Sequence, residues 1–393
     1  DMWCLARQEM KSDFSPFADA IAKCVDAEIR LAELLGYSDH IYDAPLQQME
    51  PDLSEKKLTN VFDSFKKCMI PYIKELNLKL PSRQKSPQPP PLMDHAPVFE
   101  VMMGVYRNMG FDFTRGRVDY AMEGVNCLPH CLQISVDDVR VVMPSAQAGH
   151  QFSDVFIFMH EMGHALHDQG IHSTLDGLPL SRIRSVGFQE SQSQLWENFV
   201  GRSLEFWQRY YPELGAVKDF PYNSADACYR AANTLQKFEG RFYRSNQISI
   251  DLDNIFLYEM ERDLLACAVK PHEFMDSWNE KLQQFLGAEP FKNVPSFVNL
   301  VNPNWLFGGF GYLPLYTLGN IFAGQIWQFV NKDNDMKNQI KKGDYSGLVR
   351  WLKKYIYHHG YTYTLSELAI KSTGSDISSD YYCAFLKEKF SSL

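Results

Sequence analysis

The segment HEMGH, near the middle of the chain, holds two histidines whose spacing suits a metal ion. His160 and His164 are four residues apart, so an α-helix places both imidazoles on one face. A catalytic zinc site takes three protein ligands and leaves one position for water. Glu190 begins a second helical segment, and the Gly- and Pro-containing stretch between the segments lets them pack antiparallel. It is therefore the candidate for the third ligand.

Glu161 directly follows the first of these ligands. On a helix it points about 100° away from His160, which is too far to bind the ion but close enough to touch a water molecule at the open position. A carboxylate placed there suits a general base, and the pattern predicts metal-assisted amide hydrolysis. Two imidazoles and one carboxylate can hold zinc, cobalt or manganese, and zinc is the ion expected.

Three further polar residues near this segment are open to two interpretations each. Glu197 lies seven residues after Glu190, on the same helical face, and can hydrogen-bond a ligand histidine or form an ordinary salt bridge. His167 and His172 have no histidine four residues away, which favours a core or solvent role for both.

The compact CLPHC segment contains Cys127, His130 and Cys131. A closed zinc site needs four donors, and no matching cysteine pair occurs elsewhere in the chain. We therefore interpret this segment as packing.

The eight cysteines are scattered at irregular separations, which indicates reduced thiols rather than a disulfide framework. No N-x-Ser/Thr site and no apolar run of bilayer length occurs. We expect an intracellular protein, cytoplasmic or organellar, with a mitochondrial location open, and neither secretion nor membrane insertion. The chain begins at Asp1, so we expect that a preceding piece, which could include a targeting segment, is missing.

Composition excludes two classes of protein. Hydrophobic residues make up 45% and charged residues 22% of the chain, which allows a large core and argues against disorder. The net charge of -9 is spread along the chain with basic and acidic residues interleaved, which argues against nucleic acid as a partner. The expected partners are a peptide substrate and either a second copy in a homodimer or, if the protein is inactive, a larger assembly.

Apolar spacing of three and four residues predicts a mainly α-helical fold, with one helix spanning 189–211. Between 115 and 143 the pattern alternates, which predicts a small antiparallel β-sheet beside the HEMGH helix. The Pro-rich stretch 80–97 reads as a surface loop within a single domain covering 1–393. The Asn-, Gly- and aromatic-rich region 297–314 is expected to be irregular and to bind substrate.

With the ligand candidates identified, the chain resembles the carboxypeptidase Taq family of metallocarboxypeptidases over nearly its whole length. The HEMGHALHDQG and ESQSQLWENFVGRS pair at this separation is very specific. The resemblance also runs through DFSPFADAI, LAELLGYSDHIYDAP, MGFDFTRGRVD, DDVRVVMP, FGGFGYLPLYTLGN and YTLSELAIKSTG.

This resemblance implies a helical metallopeptidase fold with a deep cleft, similar to angiotensin-converting enzyme and neurolysin. It also implies that Glu190 is the third metal ligand, in agreement with the spacing. The family's chains carry further N-terminal helices that wall the cleft, and this sequence does not contain them. We therefore expect an unusually open site.

Several family motifs that line the substrate cleft are altered. The family's His-Glu-Ser-Gln begins here with Gln189, and its Asp-x-Arg-x-Thr keeps Asp138 and Arg140 but ends in Val142. Its Ile-Arg-x-x-Ala-Asp-Glu appears as RFYRSNQ and its Gly-x-x-Gln-Asp-x-His-Trp as VNLVNPNW. Phe242 then takes the place of the family's arginine, and amides take the place of acids.

A carboxypeptidase must recognise a C-terminal carboxylate, normally with a cationic side chain. Tyr312 is a candidate donor to the oxyanion and so a candidate catalytic residue, although Tyr312 and Tyr316 could equally be aromatic core. The candidates for binding substrate are Arg140, Arg241, Arg244, Trp305 and Tyr316.

The sequence therefore predicts a metal-dependent peptidase, of carboxypeptidase type, with Glu161 as the base. Two alternatives remain open. One is an inactive, peptidase-like scaffold or assembly subunit, because a fold does not determine a function. The other is a peptidase that uses the same water chemistry with a different specificity.

Overall fold

The computed structural model describes residues 14–80, 92–123, 127–145, 149–235, 247–286 and 309–391. Most of these residues are helical, which confirms the predicted fold class. The α-helices are α1 (Ser15–Leu35), α2 (Asp43–Met49), α3 (Glu55–Lys79), α4 (His95–Asn108), α5 (Asp154–Gly170), α6 (Val186–Gln194), α7 (Leu204–Leu214), α8 (Ala225–Ala232), α9 (Gln247–Leu265), α10 (Phe274–Leu286), α11 (Leu313–Val330), α12 (Asn334–Lys341), α13 (Ser346–Tyr355), α14 (Leu365–Thr373) and α15 (Ser379–Ser391).

Several shorter helical turns connect these elements. A π-helix over Leu195–Gly201 continues directly from α6. The 3₁₀ turns are Ser173–Leu175, Pro179–Ser181, Pro271–Glu273 and Tyr357–His359. Among the described residues, no helix combines the length and the apolar character needed to span a bilayer.

The sheet has three strands: β1 (Gly116–Tyr120), β2 (His130–Ser135) and β3 (Asp138–Met143), in the order β1-β3-β2. The pair β2 and β3 is antiparallel, as predicted, because only two residues separate the strands. The strand β1 pairs with the other edge of β3 in parallel. The sheet is therefore mixed, and the prediction of a purely antiparallel sheet is corrected.

The middle strand β3 shows the two-residue alternation of a half-buried strand. Val139, Val141 and Met143 are buried, while Asp138 and Arg140 are partly exposed. Alternate residues of a strand face opposite sides of the sheet. The buried side of the sheet packs against α5, so the sheet supports the helix that carries HEMGH.

The chain groups into two compact units. One contains Asp1–Gln84 and Leu235–Thr317, and the other contains Lys85–Thr234 and Leu318–Leu393. The single domain over 1–393 and the deep cleft stay predictions. All of the HEMGH segment and its neighbours in sequence lie in the second unit.

Two predicted element boundaries differ from the structure. The predicted 189–211 helix is interrupted, because the π-helix ends at Gly201 and α7 starts afresh after Ser203, whose side chain caps Phe206. The predicted 80–97 loop ends early, since α4 begins at His95 and tolerates a proline in its first turn. Residues 81–91 lie outside the described part of the chain.

The region predicted to be irregular, 297–314, is described only from residue 309. Helix α11 already begins at Leu313, so the end of that region is helical. The remainder of the prediction falls on residues outside the described part.

Candidate metal centre

Helix α5 presents two imidazoles to one point. The Nε2 atoms of His160 and His164 are 3.2 Å apart, and both side chains are largely buried. The four-residue spacing predicted this arrangement, because residues four apart lie one above the other on a helix.

Helix α6 adds a carboxylate to the same point. The Oε2 atom of Glu190 is 3.5 Å from Nε2 of His160 and 3.8 Å from Nε2 of His164. Ser193, one turn further along α6, donates its hydroxyl to the same Oε2 atom at 3.0 Å. The three predicted ligands therefore lie together, with one ligand atom from each within 4.8 Å of the others.

Two glycines allow the backbone to come this close. A Cβ atom at Gly163, between the histidines, would lie 2.6 Å from the backbone of Gln192 and Ser193 on α6. A Cβ atom at Gly319 of α11 would lie 2.9 Å from Cβ of Glu190. Sequence reasoning missed both residues, although a glycine inside a helix and between two candidate ligands is a signal of close packing.

The first turn of the π-helix orients His160. Its Nδ1 atom is 3.0 Å from Oε2 of Glu197, and a carboxylate can only accept, so Nδ1 carries the proton and Nε2 faces the ligand cluster. Arg202 donates to the other oxygen of Glu197 at 2.9 Å. Of the two roles open to Glu197, the structure shows the hydrogen bond to a candidate ligand and also an ion pair with Arg202.

The charges in this chain of contacts shift several pKa values. Burial opposes protonation of His160, but the hydrogen bond to Glu197 and the charge of Glu190 outweigh it and raise the pKa of His160 to about 9. Burial also works against ionisation of Glu197, yet His160 and Arg202 lower its pKa to about 2. Burial and the charge of His160 hold the pKa of His164 well below its ordinary value.

Glu161 has a different environment from the other acids of the site. Its side chain is 4% exposed, and its Oε2 atom has no hydrogen-bond partner in the part of the chain that the structure describes. Burial is the main reason that its pKa rises to about 7, with His160 opposing and Glu190 adding to the rise. The charge of His130 on β2 also lowers this pKa, so part of the CLPHC segment acts on the site electrostatically.

The donor set fits a divalent cation. Zinc bound tetrahedrally at about 2.0–2.2 Å has ligand atoms about 3.3–3.6 Å apart. The three separations here are 3.2, 3.5 and 3.8 Å. Glu161 lies next to the ligands in the sequence and keeps one buried oxygen without a partner among the described residues. Its carboxylate is therefore expected to face water at the open position.

The remaining predicted residues make contacts of their own or lie outside the described residues. Arg140 forms a two-bond ion pair with Asp138 at 2.7 and 2.9 Å on the exposed side of β3. The hydroxyls of Tyr312 and Tyr316 are 3.0 Å apart, and both residues belong to the first unit. Arg241, Arg244 and Trp305 lie outside the described residues.

The residues interpreted as structural make local contacts. His167 is buried against Asp168, with Nδ1 and Oδ1 3.1 Å apart, whereas His172 is exposed and contacts Thr174. In the CLPHC segment, Cys131 directs its thiol at Asp168. His167 and Cys131 thus make core contacts and His172 lies at the surface, whereas His130 of the same CLPHC segment acts on the pKa of Glu161.

Comparison with known proteins gives a consistent result over the whole chain. The family model described as carboxypeptidase Taq (M32) metallopeptidase matches residues 1–390. Carboxypeptidase 1 of Bacillus subtilis is 28% identical over 389 residues, which is 98% of this chain and 75% of that protein. Thermostable carboxypeptidase 1 of Pyrococcus furiosus is 27% identical, over 97% of this chain and 75% of that protein.

Solved structures agree with the sequence matches. A Pyrococcus furiosus carboxypeptidase has a TM-score of 0.85 at 25% identity and covers 99% of this chain and 76% of that one. An M32 carboxypeptidase from Deinococcus radiodurans has a TM-score of 0.84 at 26% identity, covering 99% of this chain and 77% of that one. The chain therefore belongs to the carboxypeptidase Taq (M32) family of metallopeptidases, and it is a metal-dependent hydrolase that acts on peptides.

Proposed function

We propose that His160, His164 and Glu190 hold a zinc ion and that Glu161 is the general base of peptide-bond hydrolysis. One observation carries this proposal: three ligand atoms meet within 4.8 Å beside a buried carboxylate oxygen that has no partner among the described residues. When bound, a divalent cation at such a set polarises the scissile carbonyl and makes a water molecule more acidic.

In this proposal Glu161 transfers the proton of the attacking water. A base works best when its pKa lies near the operating pH, and burial raises the pKa of Glu161 to about 7. The carboxylate takes a proton from the attacking water and can return it to the leaving amine. Glu197 and Arg202 take no proton in this scheme, since they hold the ring of His160 in place.

The expected substrate is a peptide trimmed at its C-terminus. The relatives in Bacillus subtilis and Pyrococcus furiosus are both named carboxypeptidases, which supports this specificity. Arg140, Arg241 and Arg244 are the proposed partners of the terminal carboxylate, and Trp305 and Tyr316 are proposed to contact the substrate chain. Tyr312 is the proposed donor to the oxyanion.

The test compares a peptide that has a free C-terminus with the same peptide amidated at its C-terminus. The wild-type chain, with its metal content measured, should release C-terminal residues from the free peptide alone. Glu161→Gln should slow this release about 100- to 10,000-fold while keeping the metal. Cleavage of the amidated peptide would mean a changed specificity. Bound metal without any cleavage would overturn the proposal in favour of a scaffold.

The role of Tyr312 has a matched control in its neighbour. Tyr312→Phe should lower kcat about 10–100-fold with little change in KM, because an oxyanion donor acts in the transition state. Tyr316→Phe removes a hydroxyl only 3.0 Å away and should mainly raise KM. Equal effects of the two variants on kcat would contradict the assignment.

We also propose a homodimer that forms through the sheet. In the order β1-β3-β2, β2 is an edge strand of the described sheet, and its Leu132 and Ile134 are 44% and 50% exposed. Exposed apolar edge strands tend to pair with another chain. Light scattering should give twice the chain mass, and Ile134→Lys should give a monomer.

An intracellular location completes the proposal. The seven described cysteines are all free thiols, as is usual in a reducing compartment. Fractionation of the source cells should place the protein with the intracellular contents. Recovery from the medium would contradict this location.

A further inference from the structure

A cavity of about 620 Å³ lies in the second unit, beside the π-helix that carries Glu197. The proposed function does not use it. Its volume falls in the range of small-molecule sites, about 300–1,000 Å³. It is bordered by the end of the π-helix and the start of α7, and by α8, the α11–α12 region and α15.

Cations dominate the charged lining of this cavity. Five basic side chains face three acidic ones. Three of the basic residues, Arg230, Lys337 and Lys341, are exposed, whereas Lys389 is only 8% exposed. An ammonium group buried to this extent is costly unless other groups compensate its charge, and the centroids of two aromatic rings lie 5.4 and 5.7 Å from its Nζ atom.

Arg202 and Lys389 form the cationic end of the cavity. The Nζ atom of Lys389 is 3.4 Å from the backbone oxygen of Asn198. Burial and the nearby charge of Arg202 hold the pKa of Lys389 well below its ordinary value. The carboxylate of Glu197, which pairs with Arg202, acts on this pKa in the opposite direction. An anion that enters the cavity can contact both cationic side chains, because both line it.

Arg202 can still donate to a ligand. It donates to Glu197, to Asn198 and to the backbone oxygen of Ala232. A guanidinium has five N–H groups. Two of them therefore have no acceptor among the described residues.

Aromatic rings form a second feature of the wall. The ring centroid of Phe199 is 5.9 Å from that of Trp327 and 4.3 Å from that of Phe385, and all three residues line the cavity. Phe199 is buried, so the partly exposed rings of Trp327 and Phe385 provide the accessible surface. A flat apolar group stacks well on such a surface.

We propose that this cavity binds a small organic phosphate with a flat aromatic body, whose phosphate contacts Arg202 and Lys389 and whose body lies on the aromatic wall. A phosphate suits the site better than a monoanion does, because it can accept from the arginine and the lysine at once. Lys341 on α12 adds a cation on the same lining.

The probe is adenosine monophosphate, titrated by calorimetry into the metal-loaded full chain. Lys389→Met should weaken binding about 10–100-fold, because it removes a charge-assisted hydrogen bond. Lys341→Met, at an exposed position that tolerates substitution, should weaken binding about 2–5-fold. Lys342→Met, the next residue and not part of the lining, is the matched control and should leave binding unchanged.

Two further titrations separate the halves of the ligand. Inorganic phosphate alone and adenosine alone should each bind at least 10-fold more weakly than adenosine monophosphate. Phosphate that binds as tightly as the nucleotide would overturn the aromatic part of the proposal. No binding at millimolar nucleotide, or binding that neither Lys389→Met nor Lys341→Met weakens, would overturn the site itself.

Discussion

Buried acids occur in both units of the molecule, but their surroundings differ. In the first unit, Glu261 accepts from the hydroxyl of Tyr42 at 2.6 Å and from the backbone N–H of Gly311 at 2.9 Å. Glu259 in the same unit pairs with Lys66 and Lys281. In the second unit, Glu161 is as deeply buried, yet one of its oxygens has no partner among the described residues.

This difference separates structural acids from functional ones. A buried carboxylate that the surrounding chain pairs through hydrogen bonds or ion pairs stabilises the fold, and loss of one of these partners would cost free energy of folding. A buried carboxylate with an oxygen that lacks a partner destabilises the fold. Such a carboxylate is expected at a functional site, where it interacts with a reacting group. The comparison therefore predicts opposite effects of similar substitutions in the two units.

The largest effect is expected at the open carboxylate. Glu161→Gln should lower kcat about 100- to 10,000-fold, because the amide cannot take a proton from water. The unfolding temperature should not fall, since an unpartnered acid is replaced by a neutral group of the same shape. Paired activity and calorimetric measurements check both parts, and a large loss of stability would break the comparison.

A smaller effect is expected at the glycine between the histidines. Gly163→Ala should destabilise the protein by about 1–3 kcal/mol, because the added Cβ meets the backbone of α6 at 2.6 Å. It should also weaken metal binding by moving Glu190 away. Gly104→Ala in α4 is the control, since nothing lies within 4 Å of its Cβ. In chemical unfolding, the free energy of unfolding should fall for Gly163→Ala and rise for Gly104→Ala.

The carboxylate behind His160 should affect the metal rather than the fold. Glu197→Gln should weaken metal binding about 10–100-fold, as loss of a carboxylate behind a ligand histidine generally does. Competition with a chelator measures this. Glu213→Gln removes only an exposed contact to Arg209 and should leave the affinity unchanged, and the same loss in both variants would contradict the assignment.

The smallest effect on activity is expected in the first unit. Tyr42→Phe should reduce the free energy of unfolding by about 1–3 kcal/mol, because Glu261 loses a buried partner. Activity per folded molecule should stay unchanged. A drop in kcat without a drop in stability would show that the acids of the first unit are not purely structural.

The metal ligands could be predicted from the sequence because the information is local. Four-residue spacing on one helix places His160 and His164 together, and Glu190 begins the next segment that packs against them. The glycines were not predicted as part of the site, because their role depends on which backbone lies opposite. The alternation of apolar and polar residues predicts strands, but it does not specify which strand pairs with which edge of β3 or in which direction. The parallel pairing of β1 with β3 therefore could not be predicted.

Arg202 shows a further limit of sequence reasoning. It bonds to Glu197 from five residues away, a spacing that suits the wider turn of a π-helix and not that of an α-helix. No regular helical pattern would have paired these two residues. Irregular turns of this kind are common at functional sites, and here the turn connects the metal centre to the second cavity.

Gly163 and Gly319 constrain the backbone around Glu190 from two sides. Its position is thus determined by rigid main chain on both sides, and one ligand atom from each of the three residues lies within 4.8 Å of the others. Such preorganisation means that little conformational entropy is lost when an ion arrives. Ion exchange at this centre should then be limited by desolvation and access rather than by refolding of the two helices.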